Sequence, residues 1–269
     1  MSPAFPLYIG LRYFRRGSGN DRFLSLIAWF SLLGMLLGVV ALVVVTSVMN
    51  GFESELQKRV LSVVPHAYVD GPGQALEDWQ GYRQQLNELP GVNASAPYIG
   101  GKAMLSAGGE MRGVNLYGIA PDAERQVSKI SEHIVGGSYL SESGPAYGIV
   151  LGDILSRRLR LSVGDTVTVI LPKVTVAPFG LFPREKAFTI VGIFSAGAQT
   201  DSTTAFIRLD DAQRLYQTGS AVQGLRVQFN DMFAAPAKLS DVLAMLPDGA
   251  SGVDWTESQG SLFRAVKLE

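Results

Sequence analysis

Between Phe23 and Phe52 the chain carries no charged side chain, and the run LSLIAWFSLLGMLLGVVALVVVTSVM within it is dominated by Leu, Val, Ile and Met. A bilayer core of about 30 Å requires about 20 such residues at 1.5 Å per residue, so the run is long enough to span it. The competing reading is a cleaved secretory leader, whose apolar region covers only about 7–15 residues before a small-residue cleavage site. This run is longer, and Val48-Met49-Asn50-Gly51-Phe52 is a poor cleavage site. A transmembrane helix over 23–50 is therefore expected.

Arg12, Arg15, Arg16 and Arg22 precede the span with only Asp21 against them. The bias of basic residues toward the cytoplasm places the N-terminus inside and the remaining chain outside. Residues 1–22 mix Phe5, Leu7, Tyr8, Ile9, Leu11, Tyr13 and Phe14 with the arginines, a composition suited to a segment lying in the membrane interface. Gly34 and Gly38 form a small-xxx-small pair that lets a partner helix approach closely. Phe52, Leu56, Val60 and Val63 continue a helical spacing up to Pro65, which predicts a rigid stalk over 51–65.

Over the whole chain the charge balance is nearly even, with Lys+Arg 23 against Asp+Glu 24, so nucleic acid is not an indicated partner. The chain has no cysteine, which removes disulfides and thiolate metal sites. Past Pro65 the pattern reads strand (66–69), helix (76–89), then two strands (94–106 and 111–119) joined by Ala107-Gly108-Gly109-Glu110, good hairpin chemistry. Near the end, 224–229 reads as a strand, 237–246 as a helix and 252–255 as a strand. Together these predict an α+β layer of ferredoxin-like or split βαβ type over 66–120 and 221–255. Residues 121–220 then form an inserted β-rich subdomain with strands at 166–171, 187–194 and 204–209, and a short helix at 210–217 capped by Asp210. Thr256 and Gln259 make a capping-box pattern, so 256–269 is expected to start a helix toward a second, missing membrane span, as in a truncated chain.

One segment of the insertion stands out. PKVTVAPFGLFPREK, residues 172–186, contains three prolines, which remove backbone donors, so a semi-rigid loop projecting from the sheet is expected. Its apolar residues Val174, Val176, Phe179, Leu181 and Phe182 either fold back on their own core or mark an interaction surface. Three or four docked side chains at roughly 1.5–3 kcal/mol each would offset an association cost of about 4–15 kcal/mol only in part, which suits a reversible contact.

No catalytic constellation is legible. A Walker A motif ending at Gly101-Lys102 needs glycine at 96 and Ser or Thr at 103, where Ala96 and Ala103 stand. His66 and His133 lack metal-ligand spacing, and no GxSxG elbow is present. Neither a catalytic residue, a metal nor a cofactor is assigned to this chain.

The N-terminal YIGLRYFRR, the segment SVMNGFESELQKRVLSVVPHAYV, and the later LRLSVGDTVTVILP and FTIVGIFSAGAQTDSTTAFIRLDDAQRLY resemble the LolC/LolE permease subunits of the lipoprotein-releasing system, relatives of MacB-type ABC transporters. The resemblance implies a bacterial inner-membrane location with the N-terminus in the cytoplasm and the main domain in the periplasm. It implies extraction of outer-membrane lipoproteins and their transfer to the soluble chaperone LolA. ATP and Mg would be held by a separate LolD-type ATPase, with a second LolC/LolE-type permease, membrane lipids and the lipoprotein cargo as further partners. A related alternative is a MacB/FtsX-like mechanotransmission subunit acting on another periplasmic protein.

On this resemblance Pro172, Val174, Val176, Pro178, Phe179, Gly180, Leu181, Phe182, Pro183 and Lys186 match the hook that holds the chaperone in LolC types. Val43, Val44, Ser47, Val48 and Met49 would meet the lipid chains of the cargo. At the places of the family's basic pad stand Thr168 and Glu185, with Lys186 keeping a positive charge, and SAVQGLRVQFNDMF is closer to the LolE side.

Overall fold

The structure, a computed structural model, describes residues 22–61, 65–177 and 180–258. Its first element is a helix, α1 (Arg22–Leu61), about 60 Å long at 1.5 Å per residue. Within it Trp29–Gly51 is long and apolar enough to cross a membrane, with a mean hydropathy of 2.6. The helix runs on past Gly51 as expected for a stalk, and residues 62–64 lie outside the described residues. So do 1–21, including the expected interfacial segment. The chain divides into two compact units, Met1–Gln57 and Lys58–Glu269.

In the second unit the elements follow as β1 (Ala67–Asp70), α2 (Trp79–Glu88), β2 (Val92–Ala107), β3 (Glu110–Ile119), α3 (Pro121–Val127), β4 (Ile134–Gly137), β5 (Gly148–Gly152), α4 (Asp153–Leu159), β6 (Thr166–Ala177) and β7 (Gly180–Phe194). Then come α5 (Ala198–Thr203), β8 (Thr204–Arg208), α6 (Leu209–Tyr216), β9 (Gly224–Phe229), α7 (Ala235–Leu243), β10 (Ser251–Asp254) and α8 (Trp255–Ser258). The strands β10-β1-β9-β2 lie side by side and antiparallel, each pair of them in order. With α2 and α7 as the two connecting helices, this is the order of the ferredoxin-like βαββαβ layer.

Side chains alternate across each strand, so the layer has two distinct faces. Ala67, Val69, Leu225 and Val227 point to the helical side and are fully buried there with Leu86 and Val242. Gly252 belongs to this side because α7 lies against it: an added Cβ would come 2.8 Å from Leu239 Cδ1. Tyr68, Asp70, Arg226, Tyr98 and Val253 occupy the opposite face, as their register requires.

Strand β2 belongs to both halves of the sheet. Residues Val92–Tyr98 pair with β9, while Tyr98–Ala107 pair with β3 and Met104–Ser106 also pair with β6. From there the order β2-β3-β8-β5-β7-β6 returns to β2, which closes a six-stranded barrel. Leu105, Leu116, Ile149, Leu151, Val167, Val169, Phe188 and Ile207 are buried in the same core. The β2–β3 turn is the two-residue Gly108-Gly109, both at positive φ (56° and 84°), which only glycine adopts without strain.

The two ends of the domain meet. Ala67 pairs with Asp254 across β1 and β10, and the Trp255 N–H donates to the His66 carbonyl at 2.9 Å. Asp254 caps α8, its carboxylate accepting from the backbone N–H of Thr256 and Glu257 at 2.7 and 3.2 Å. The cap is therefore Asp254 rather than Thr256, because the helix starts two residues earlier than that pattern implies, and Gln259 lies outside the described residues. Asp210 likewise does not cap α6. That helix begins at Leu209 after Arg208, and Asp210 sits in its first turn, where a carboxylate meets the positive end of the helix dipole.

Candidate functional site: the long hairpin and its cationic root

The proline-containing segment is not a loop. Strands β6 and β7 continue as a paired ribbon out to Ala177 and Gly180, with Val174 opposite Pro183, Thr175 opposite Phe182 and Val176 opposite Leu181. The prolines permit this because a two-stranded ribbon has outward edges where a missing N–H breaks no ladder bond. Pro172 lies in the register shift between Leu171 and Val174. Pro178 and Phe179 lie outside the described residues.

Among the expected hook residues, Val174, Val176, Gly180, Leu181 and Phe182 have ribbon backbone, and Pro172, Pro183 and Lys186 are exposed. Val43, Val44, Val48 and Met49 lie on α1 and are at least half exposed within the chain, and Ser47 on the same helix is exposed. Among the described residues, a Cβ added at Gly34 or Gly38 would meet nothing within 4 Å beyond its own helix backbone.

Where the ribbon leaves the barrel, a cavity of about 360 Å³ is lined by Tyr147, Arg184, Lys186, Arg214 and Leu215, with Pro183, Glu185 and Gln217 beside them. The Lys186 ammonium stands 4.2 Å from the centre of the Tyr147 ring, a cation–π contact. Arg184 donates to the Tyr216 carbonyl at 3.2 Å. Arg214 lies 3.6 Å from Asp211, with its side chain mostly exposed. Three cations thus converge on one cavity, with Glu185 the acid on its rim.

Tyr147 is held there at a cost. Its φ is +58°, the left-handed region that a bulky residue avoids at about 1–2 kcal/mol. The buried Asp211 carboxylate accepts its backbone N–H at 3.0 Å, and its carbonyl accepts from Thr189 N–H at 2.9 Å. Asp211 also pairs with Arg208 at 3.1 Å. The Tyr147 ring packs edge-on against Phe188 in the barrel core, so the surface that carries Lys186 is anchored from beneath.

Of these residues only Pro183, Glu185 and Lys186 were singled out from the sequence. Tyr147, Arg184 and Arg214 come from three separate elements, and a usable signal would have been the two cations flanking the acid in Arg184-Glu185-Lys186. Among the described residues no group of His, Asp and Glu side chains is arranged to hold a metal ion. His66 is buried, its Nδ1 accepting the Phe229 N–H at 3.1 Å.

Comparison with known proteins agrees with this architecture. The chain is 38% identical over 264 residues to the lipoprotein-releasing system transmembrane protein LolC of Neisseria meningitidis, covering 97% of this chain and 63% of that protein. It is 34% identical to the LolC of Xylella fastidiosa over 97% of this chain and 63% of the relative. With the LolE of Haemophilus influenzae it shares 29% identity, over 98% and 64%. The chain therefore spans a little under two thirds of these relatives. The sequence profile of the MacB-like periplasmic core domain matches residues 28–251, most of the chain, and the protein belongs to that family.

Proposed function

We propose that this chain serves as a permease-type subunit of a lipoprotein-releasing ABC transporter. α1 crosses the bacterial inner membrane with the N-terminus in the cytoplasm, and the domain stands in the periplasm. The β6–β7 ribbon acts as the hook for a LolA-type chaperone, and the cationic cavity at its root meets acidic groups on that partner. Energy comes from ATP hydrolysis by a separate LolD-type subunit, with a second LolC/LolE-type permease completing the transporter. The outer end of the apolar part of α1, from Val43 to Met49, faces the lipid chains of the cargo. The chain itself performs no chemistry.

The observation that carries this reading is the ribbon itself. Its backbone pairing runs on to Ala177 and Gly180, so the apolar stretch stands on a registered two-stranded ribbon, and apolar sequence in such an extension suits an interaction surface. Its registered backbone pairs also reduce the ordering cost of a contact.

The test is capture of purified LolA by the full chain in nanodiscs. Wild-type should retain the chaperone, and Phe179→Ala with Phe182→Ala should lose it. Equal capture by both would overturn the assignment of the hook.

A further inference from the structure

The face of the βαββαβ layer opposite α2 and α7 carries a second site. Register places Val253 of β10, Tyr68 and Asp70 of β1, Arg226 of β9, and Tyr98, Gly100 and Lys102 of β2 on one side of the sheet. Tyr117 and Asn115 of β3 continue it, opposite Gly100 and Lys102. α3 covers Ala94 and Ala96 at one end of this face. The uncovered part is a saddle of about 340 Å³, at the low end of the range of roughly 300–1,000 Å³ for small-molecule sites.

Tyrosines wall the saddle, and a buried charge holds them in place. The Arg226 guanidinium lies 4.5 Å from the centre of the Tyr117 ring, 5.3 Å from Tyr98 and 5.4 Å from Tyr68. It is tied to Glu124 of α3 at 2.5 Å, both side chains almost fully buried. Tyr68 and Tyr98 meet edge to face at 5.4 Å. Gly100 leaves the floor open, since a Cβ there would press to 3.0 Å on Tyr117 and 3.3 Å on Tyr98. The rings are therefore set before any ligand arrives.

Charge and hydrogen bonding narrow the ligand. Arg226 and Lys102 balance Glu124 and Asp70, so the site is neutral and offers a charged ligand no net attraction. Asp70 accepts from the Tyr98 hydroxyl and from Gln223 Nε2 at 3.1 Å. Gln223 Oε1 in turn accepts the Gly100 N–H at 2.9 Å. Among the described residues Tyr68, Lys102, Asn115 and Tyr117 make no side-chain hydrogen bond within the chain. A purely apolar ligand would strip water from these groups and return nothing.

We propose that this saddle binds a neutral saccharide, with a pyranose ring lying its C–H face on the tyrosines and its hydroxyls meeting Asp70, Asn115 and Lys102. Tyrosine walls, planar amide and carboxylate groups and zero net charge together fit a polyhydroxylated ring and disfavour choline-like or phosphate ligands. The inference is separate from the transport reading above and concerns a different face of the domain from the ribbon.

The test is saturation-transfer NMR on the full chain in nanodiscs, free of glycoside detergent, with chitobiose and maltose as probes and choline and inorganic phosphate as controls. At least one disaccharide should bind saturably in the low millimolar range, and Asn115→Ala and Lys102→Met should each weaken it about fivefold or more, the loss of one ligand hydrogen bond. Both side chains lack internal bonds, so neither variant should disturb the fold. No saturable binding by either disaccharide, binding indifferent to both variants, or binding of choline or phosphate in their place would overturn the proposal.

Discussion

The Arg226 guanidinium donates to the Glu124 carboxylate at 2.5 Å across 102 residues of sequence, joining β9 of the βαββαβ layer to α3 beside the barrel. Glu124 Oε2 and Arg226 Nε are buried without a hydrogen-bond partner. Burial drives the Glu124 carboxyl above its ordinary range against the opposing charge of Arg226. Such a pair costs much of what it returns, but breaking it leaves an uncompensated charge.

Arg226→Met should therefore lower stability by about 3–5 kcal/mol, whereas the double change Glu124→Leu with Arg226→Met should be near neutral. Chemical denaturation of the three proteins in one detergent checks this. A double variant as unstable as the single one would show that the cost lies in lost packing instead.

His66 sets a pH dependence. Burial holds its imidazole below the ordinary 6.5, outweighing the charge of Asp231. An unfolded chain then binds the proton more readily than the folded one, so stability should fall as pH drops through 6.5 and level off below the folded value. Melting curves from pH 7.5 to 5 should show this slope in the wild type and a shallower one in His66→Gln.

At the hairpin root, Lys186→Ala should leave thermal stability within about 0.5 kcal/mol, because the residue is exposed. On the proposed function it should weaken chaperone capture, and added salt should narrow the gap from wild type. Capture measured at two ionic strengths checks both statements.

Gly118→Ala should destabilise the domain by about 1–3 kcal/mol, since the added methyl would lie 2.1 Å from the Ala212 Cβ of α6. Gly34→Leu is the informative contrast. Among the described residues nothing outside the helix's own backbone lies within 4 Å of a Cβ added there, so loss of transporter assembly in that variant reports contact with another helix. Co-purification with the partner subunits reads the second outcome.

Local pattern carried much of the fold. The uncharged run announced α1, and Gly108-Gly109 between alternating strands announced the β2–β3 hairpin, because each signal is complete within a short window. The strand-helix-strand sets at either end likewise foretold the βαββαβ layer. The ribbon was misread as a loop because proline is penalised inside a sheet, and only tertiary context reveals that both strands there have open edges. α3 offers seven residues, too few for a helical period, and its Glu124 looks like an ordinary surface acid until β9 brings Arg226 to it. Tyr147, Arg184 and Arg214 converge through barrel closure, which no local window contains.

The meeting of Ala67 with Asp254, and of the His66 carbonyl with the Trp255 amide, makes the domain's topology that of a purse closed at its neck. Residues 66–255 need only a few added residues to be spliced into a cyclic polypeptide. Cutting such a ring at the Gly108-Gly109 turn would yield a permuted version with every strand pairing intact.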